Sequence, residues 1–183
     1  MPMLRKLSKI YTPYNGLLLM ATIAFCIFQA YAEVITPETE TNTITSSITS
    51  PVKVVDGDSL EIGTNRIRLN GIDAPEYDQY CKRNDQKYYC GKESINFLKQ
   101  LISTNHVFCK VHSKDKYDRF LCTCYVKNIN INAELVKNGH ALSYMDNLYI
   151  KEEQEAKLNK KGLWSSKFMH PRLFRRLKES QKN

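Results

Sequence analysis

Val52-Lys53-Val54-Val55-Asp56-Gly57-Asp58-Ser59-Leu60-Glu61-Ile62, a Gly63-Thr64-Asn65 break, and Arg66-Ile67-Arg68-Leu69-Asn70-Gly71-Ile72-Asp73-Ala74-Pro75-Glu76 decide how this chain folds. β-Branched residues cluster on both sides of Asp56-Gly57, a dipeptide expected to supply the positive φ angles of a tight hairpin, and a second turn is expected at Gly63 to Asn65. The stretch reads as a three-stranded meander. A plain meander does not need Asp58, Asp73 and Glu76 at its turns and strand ends with Arg68 between them. Each residue alone is at home in a structural role, since Asp-Gly turns, Asp before Ala-Pro and a solvated strand Arg are all common. In combination, acids around a base point to a site for a divalent cation and a phosphate.

Upstream, residues 1–32 read as a signal peptide: Arg5, Lys6 and Lys9 are basic, Gly16 to Phe28 is apolar, and Ala30-Tyr31-Ala32 offers small residues for cleavage before Glu33. The apolar run is short of the roughly 20 residues of a membrane span. A secreted or periplasmic protein without stable membrane insertion after cleavage is expected, with an uncleaved anchor as the alternative. Residues 33–50, rich in Thr, Ser, Glu and Pro, read as a flexible linker. Residues 51–176 then form one domain, expected to be monomeric, and 177–183 a basic tail. Without the leader, 24 Lys and Arg face 19 Asp and Glu, a net charge of +5 that suits a polyanionic partner but names no reaction.

Downstream, Tyr77 to Tyr89 is a polar, tyrosine-bearing loop bracketed by Cys81 and Cys90. Ile95, Leu98, Leu101 and Ile102 recur at helical spacing after Gly91 and end near Asn105. His106 to Val111 and Phe120 to Val126 alternate as strands, bringing the expected total to five. A short helix capped by Asn130 or Asn132 ends at Gly139, and a last helix is expected from about Asp146 to Lys160-Lys161, stopped by Gly162. Trp164 is expected against the core. Arg172, Arg175, Arg176 and Lys178 either grip phosphates or form a solvated face.

Cys26 leaves with the leader, so Cys81, Cys90, Cys109, Cys122 and Cys124 remain, an odd set with at least one unpaired thiol. Cys81 and Cys90 bracket one exposed loop, which favours pairing them. Cys122 and Cys124 share a strand face beside the strand of Cys109, so a cross-strand bridge is local if the register allows. Zinc is a poor rival, because there is no Cys-x-x-Cys pair and His106 and His112 lack ligand spacing.

Arg119, in the turn Asp115-Lys116-Tyr117-Asp118-Arg119, supplies a second guanidinium that can meet Arg68 around one phosphodiester. Two such planar forks match phosphate oxygens and neutralise the extra charge of a five-coordinate phosphorane. Asp58 and Asp73 are hard oxygen donors of the kind Ca²⁺ prefers, and Glu76 is suited to orient or deprotonate a water.

These residues resemble the thermonuclease family, the staphylococcal or micrococcal nuclease homologues. Val55-Asp56-Gly57-Asp58-Ser59, Arg68-Leu69-Asn70-Gly71-Ile72-Asp73-Ala74-Pro75-Glu76, Asp115-Lys116-Tyr117-Asp118-Arg119 and Gly162-Leu163-Trp164 occur in the family's order. The resemblance implies a mainly β, α+β fold: a five-stranded Greek-key barrel of the oligonucleotide-binding (OB) type with three helices. It further implies a Ca²⁺-dependent endonuclease acting on DNA and RNA, with Asp58, Asp73 and the Ala74 carbonyl holding the metal. Arg68 and Arg119 would clamp the phosphate and Glu76 would serve the water. In the best-known members the bond to the 5′ oxygen breaks, leaving 3′-phosphate ends. The best-known member has Thr where this chain has Ala74 and lacks cysteines. Its base-holding tyrosines match at Tyr117, with Tyr144 a looser candidate. The opposing reading is an inactive OB-type module that binds nucleic acid or protein. The presence of Asp58, Arg68, Asp73, Glu76 and Arg119 together argues against it.

Overall fold

In β4 (Asn65–Leu69), which pairs with β3 (Ser59–Ile62), Ile67 and Leu69 are buried while Arg66 and Arg68 face the other way. That alternation places an arginine opposite a hydrophobic core. A computed structural model describes residues 42–45, 51–145 and 147–181; the leader with its cleavage site, and most of the expected linker, lie outside the described residues.

β2 (Val52–Asp56), β3 and β4 form the expected meander. The first turn differs from expectation in its chemistry. Neither Asp56 nor Gly57 has a positive φ; a bulge shifts the register between Val54 and Asp56, and the Asp58 N–H donates to Asp56 Oδ1. Gly57 is needed for closeness instead, since a Cβ there would lie 2.7 Å from that of Ala74. Gly63 does take a positive φ, of 59°.

β4 also runs parallel to β9 (Phe120–Val126), which pairs antiparallel with β8 (Val107–Lys114), and with β1 (Thr43–Thr45) at the edge the order is β1-β8-β9-β4-β3-β2. The result is a curled half-barrel of the OB type. β1 (Thr43–Thr45) lies within the stretch expected to be linker, yet it pairs with β8, with Ile44 against the core. Three residues with one inward apolar side chain carry too little pattern to be read as a strand.

Short strands complete the framework: β5 (Ile72–Asp73), β6 (Cys81–Arg83) and β7 (Gln86–Tyr88), β10 (Ile129–Asn130), and β11 (Leu142–Ser143) beside β5. The β6–β7 hairpin sits where only a loop was expected. Asn84 and Asp85 take positive φ values of 49° and 61° and turn it.

Among the described residues the α-helices are α1 (Cys90–Ile102), α2 (Ile131–Lys137), α3 (Ile150–Leu158) and α4 (Pro171–Ser180), with a 3-10 turn at Gly162–Ser165. Asn130 caps α2 by accepting from the Ala133 N–H. α3 starts after Tyr149, and the expected start at about Asp146 lies outside the described residues. α4 is a helix beyond the expected three and runs across the boundary drawn at Arg176. Leu60, Ile67, Leu69, Leu98, Val107, Val126 and Leu135 form the core under the sheet. Trp164 joins a separate cluster with Cys81, Cys90, Leu142 and Leu163.

Disulfides link Cys81 to Cys90 and Cys109 to Cys124, the latter directly opposite across β8 and β9. Cys122 is free and buried, and burial raises its thiol pKa to about 11. The buried Asn132 accepts from the Cys124 N–H and donates to the carbonyls of Cys122 and Asn70, which ties α2 to the turn that leads into β5. No helix among the described residues is long and apolar enough to cross a membrane.

Candidate active site

Asp58 ends the first turn, Arg68 stands on β4 opposite Ser59, and the Asn70-Gly71 turn returns the chain so that Asp73 ends β5. Gly71 takes a φ of 74° there. Three segments close in sequence thereby meet. Arg68 forms ion pairs with Asp58 and, at 3.5 Å, with Asp73, and its Nη2 donates to the Ile72 carbonyl at 3.2 Å. Burial lowers the Arg68 pKa, with Asp73 and Asp56 opposing that shift and the charges of Arg119 and Arg175 adding to it. Arg119 is therefore close enough to be felt at Arg68.

The Ala74 N–H donates to Asp58 Oδ2 at 2.9 Å, which fixes the metal-ligand candidates Asp58 and Ala74 relative to each other. Asp73 is fully buried. Its Oδ1 takes the guanidinium contacts, whereas its Oδ2 is buried without a hydrogen-bond partner, 3.9 Å from His170 Nδ1. A buried carboxylate oxygen left unpaired is costly, and a cation is the natural partner for it. Among the described residues no group of three or more His, Cys, Asp or Glu is placed to hold a metal. The expected donors, Asp58, Asp73 and the Ala74 carbonyl, are all oxygen, a set that suits a hard cation that retains water ligands.

Glu76 lies at the edge of this cluster. Its backbone is clamped by Gln79, whose N–H donates to the Glu76 carbonyl at 2.8 Å and whose Oε1 accepts from the Glu76 N–H at 3.3 Å. Gly91 packs so tightly against it that a Cβ would lie 1.8 Å from the Glu76 carbonyl oxygen.

Arg119 is presented from the β8–β9 turn. Asp115 organises that turn by accepting from the N–H groups of Tyr117 and Arg119 and from Arg119 Nε at 2.8 Å. Although burial opposes it, these hydrogen bonds from Arg119 and Tyr117 lower the Asp115 pKa. The exposed Tyr117 ring has the Arg119 guanidinium 5.6 Å from its centroid, so the two form one surface. Tyr144 is half-buried on the other side, where its N–H donates to the Gly71 carbonyl just after β11.

The structure therefore brings Asp58, Arg68, Asp73, Ala74 and Glu76 into one cluster and sets Arg119 with Tyr117 on the β8–β9 turn and Tyr144 beside β5. Sequence reasoning left Arg175 in a basic run from Arg172 to Lys178 that either grips phosphates or faces solvent. In the structure its Nη1 donates to Glu76 Oε1 at 2.8 Å and its Nη2 to Asp73 Oδ1 at 2.9 Å. Burial alone would lower the Arg175 pKa, but the hydrogen bonds and charges of Glu76 and Asp73 outweigh it and raise the value. The basic residues near position 175 were visible, but nothing in the sequence shows which acids they reach.

Residues 66–166 match the family described as Staphylococcal nuclease homologue. The chain is 36% identical over 129 residues to the succinoglycan biosynthesis protein ExoI of Rhizobium meliloti, covering 67% of this chain and 68% of that protein. It is 33% identical over 123 residues to an uncharacterized endonuclease of Haemophilus influenzae, covering 62% of this chain and 64% of the relative. It is also 33% identical over 119 residues to the probable endonuclease LCL3 of Komagataella phaffii, covering 57% and 51%.

Proposed function

The chain belongs to the staphylococcal nuclease homologue family and is a phosphodiester hydrolase acting on nucleic acid, and we propose that it is an exported, monomeric, Ca²⁺-dependent endonuclease of both DNA and RNA. The observation that carries this reading is the buried meeting of Asp58, Arg68 and Asp73, with one Asp73 oxygen left without a partner and Glu76 at the rim.

Asp58, Asp73 and the Ala74 carbonyl would hold Ca²⁺. The bound ion supplies Lewis-acid polarisation of the phosphate and a source of ordered water. Glu76, with its backbone fixed by Gln79 and Gly91, orients the attacking water and accepts its proton. Arg68 and Arg119 donate to the phosphate oxygens as negative charge accumulates in the transition state, which is where preorganised donors are most effective. Cleavage of the bond to the 5′ oxygen would leave 3′-phosphate ends. Tyr117, beside Arg119, offers a face for the base flanking the scissile bond, and Tyr144 a second.

Two disulfides support an oxidising destination and hence export. Mutagenesis tests the assignment: Arg68→Ala and Arg119→Ala should each lower turnover on DNA by about a hundredfold, the effect of losing roughly 3 kcal/mol of transition-state stabilisation, with the fold intact. Near-normal digestion by either purified variant would remove the clamp from the account.

A further inference from the structure

We propose that Arg175 is a positioning residue of this active site, holding the Glu76 and Asp73 carboxylates in working geometry while opposing over-tight binding of the cation at Asp73. The proposal rests on the nuclease reading above and concerns how that site is completed from the far end of the chain.

The contact is well anchored. Arg175 spans the two carboxylates with a separate nitrogen on each, the planar two-pronged geometry that arginine alone offers. The segment that carries it is docked independently of those ion pairs. Lys82 and Lys167 exchange both backbone hydrogen bonds, at 2.9 and 2.8 Å. The fully buried Gln79 donates from Nε2 to the Met169 carbonyl at 2.7 Å while its backbone N–H and Oε1 clamp Glu76, so a single side chain couples Glu76 to the start of α4. Pro171 is buried at the first turn of α4, where its fixed φ suits helix initiation. Phe174 lines a cleft with Tyr80, Cys81, Phe168 and Met169. Lys178 pairs with Asp78, two residues beyond Glu76. Helical geometry then turns Arg175 toward the site one residue after the Phe174 anchor.

Two opposite consequences follow from one charge. A Glu76 side chain half open to water has several rotamers, and a fork at 2.8 Å selects one of them, so removing it lowers the fraction of enzyme ready to activate water. The same guanidinium is a positive charge at the Asp73 carboxylate, and like charges repel, so removing it strengthens cation binding there. A residue that only supports the fold would not move these two quantities in opposite directions.

The test uses the full mature chain. Arg175→Ala should lower kcat on DNA about tenfold with KM changed less than threefold, while Ca²⁺ affinity measured by calorimetry without nucleic acid rises several-fold. Arg175→Lys should recover part of kcat, and millimolar guanidinium added to Arg175→Ala should restore part of it. If Arg175→Ala does not fold, Arg175→Gln, which keeps length and a donor but not charge, is read in the same way. Wild-type kcat in the variant, or a joint fall of kcat and Ca²⁺ affinity without rescue, overturns the proposal. A wild-type protein that cleaves no nucleic acid overturns the nuclease reading instead, which the Ca²⁺ titration of the two proteins keeps separate.

Discussion

His140 stacks on Phe97 with ring centroids 4.2 Å apart, and burial, with the Arg83 charge adding to it, pushes its pKa down to about 4. The unfolded chain binds that proton near pH 6.5. Stability attributable to this group is therefore complete above about pH 6.5 and is lost as pH falls to about 4, by up to about 3 kcal/mol. Urea unfolding of the wild type and His140→Phe between pH 7.5 and 4 checks this: the stability of the wild type should fall relative to that of the variant across that window, and parallel curves would contradict it. At the same scale, Asp58, Arg68, Asp73 and Glu76 were legible because charge interrupted strand patterns at turns and strand ends. The role of Gly57 was not, because the sequence shows that a glycine is present but not whether φ or the nearness of Ala74 requires it. Arg175 was illegible as a site residue for a different reason: its partners lie 99 and 102 residues away, and only the docking of α4 brings them together.

Elements with a full period of apolar residues were located from the sequence, namely the meander, α1, β8, which runs three residues past the expected Val111, β9 and α2, for which Asn130 proves to be the cap of the two asparagines expected. Those that depend on tertiary partners were not. β6 and β7 are mostly polar, with Cys81 their one buried residue, and they owe their pairing to a two-residue turn and to the bond between Cys81 and Cys90. α3 begins after Tyr149 because Met145 and Asn147 take positive φ values, which no helix pattern announces. The hairpin begins just after the segment of Glu76 and Gln79, so its tether bears on the site. Closing a loop of nine residues' separation is worth roughly 2 to 3 kcal/mol in the unfolded-chain picture. The double substitution Cys81→Ser, Cys90→Ser should lower stability by about that amount and expose 81–88 to protease first. A variant with unchanged melting temperature and protease resistance would show the bridge to be idle.

At the scale of the whole molecule, a chain of net positive charge presents Arg68, Arg119 and Tyr117 beside a pair of carboxylates, an arrangement suited to an extended polyanion. Sequence motifs spread from Val55 to Trp164 were enough to indicate the architecture, since each sits at a turn or strand end that the fold uses. The added fourth helix and the edge strand β1 lie outside those motifs and depend on packing that local pattern does not encode. We propose that hydrolysis runs on a Ca²⁺ site held by Asp58, Asp73 and Ala74. Its most direct test is the rate of plasmid digestion by the purified mature protein in Ca²⁺, in Mg²⁺ and in excess chelator. Full activity in Ca²⁺, little in Mg²⁺ and none in chelator is expected, because an irregular site with waters tolerates Ca²⁺ coordination and not the tight Mg²⁺ octahedron. Complete digestion in chelator, or a full rate with Mg²⁺ alone, would contradict it.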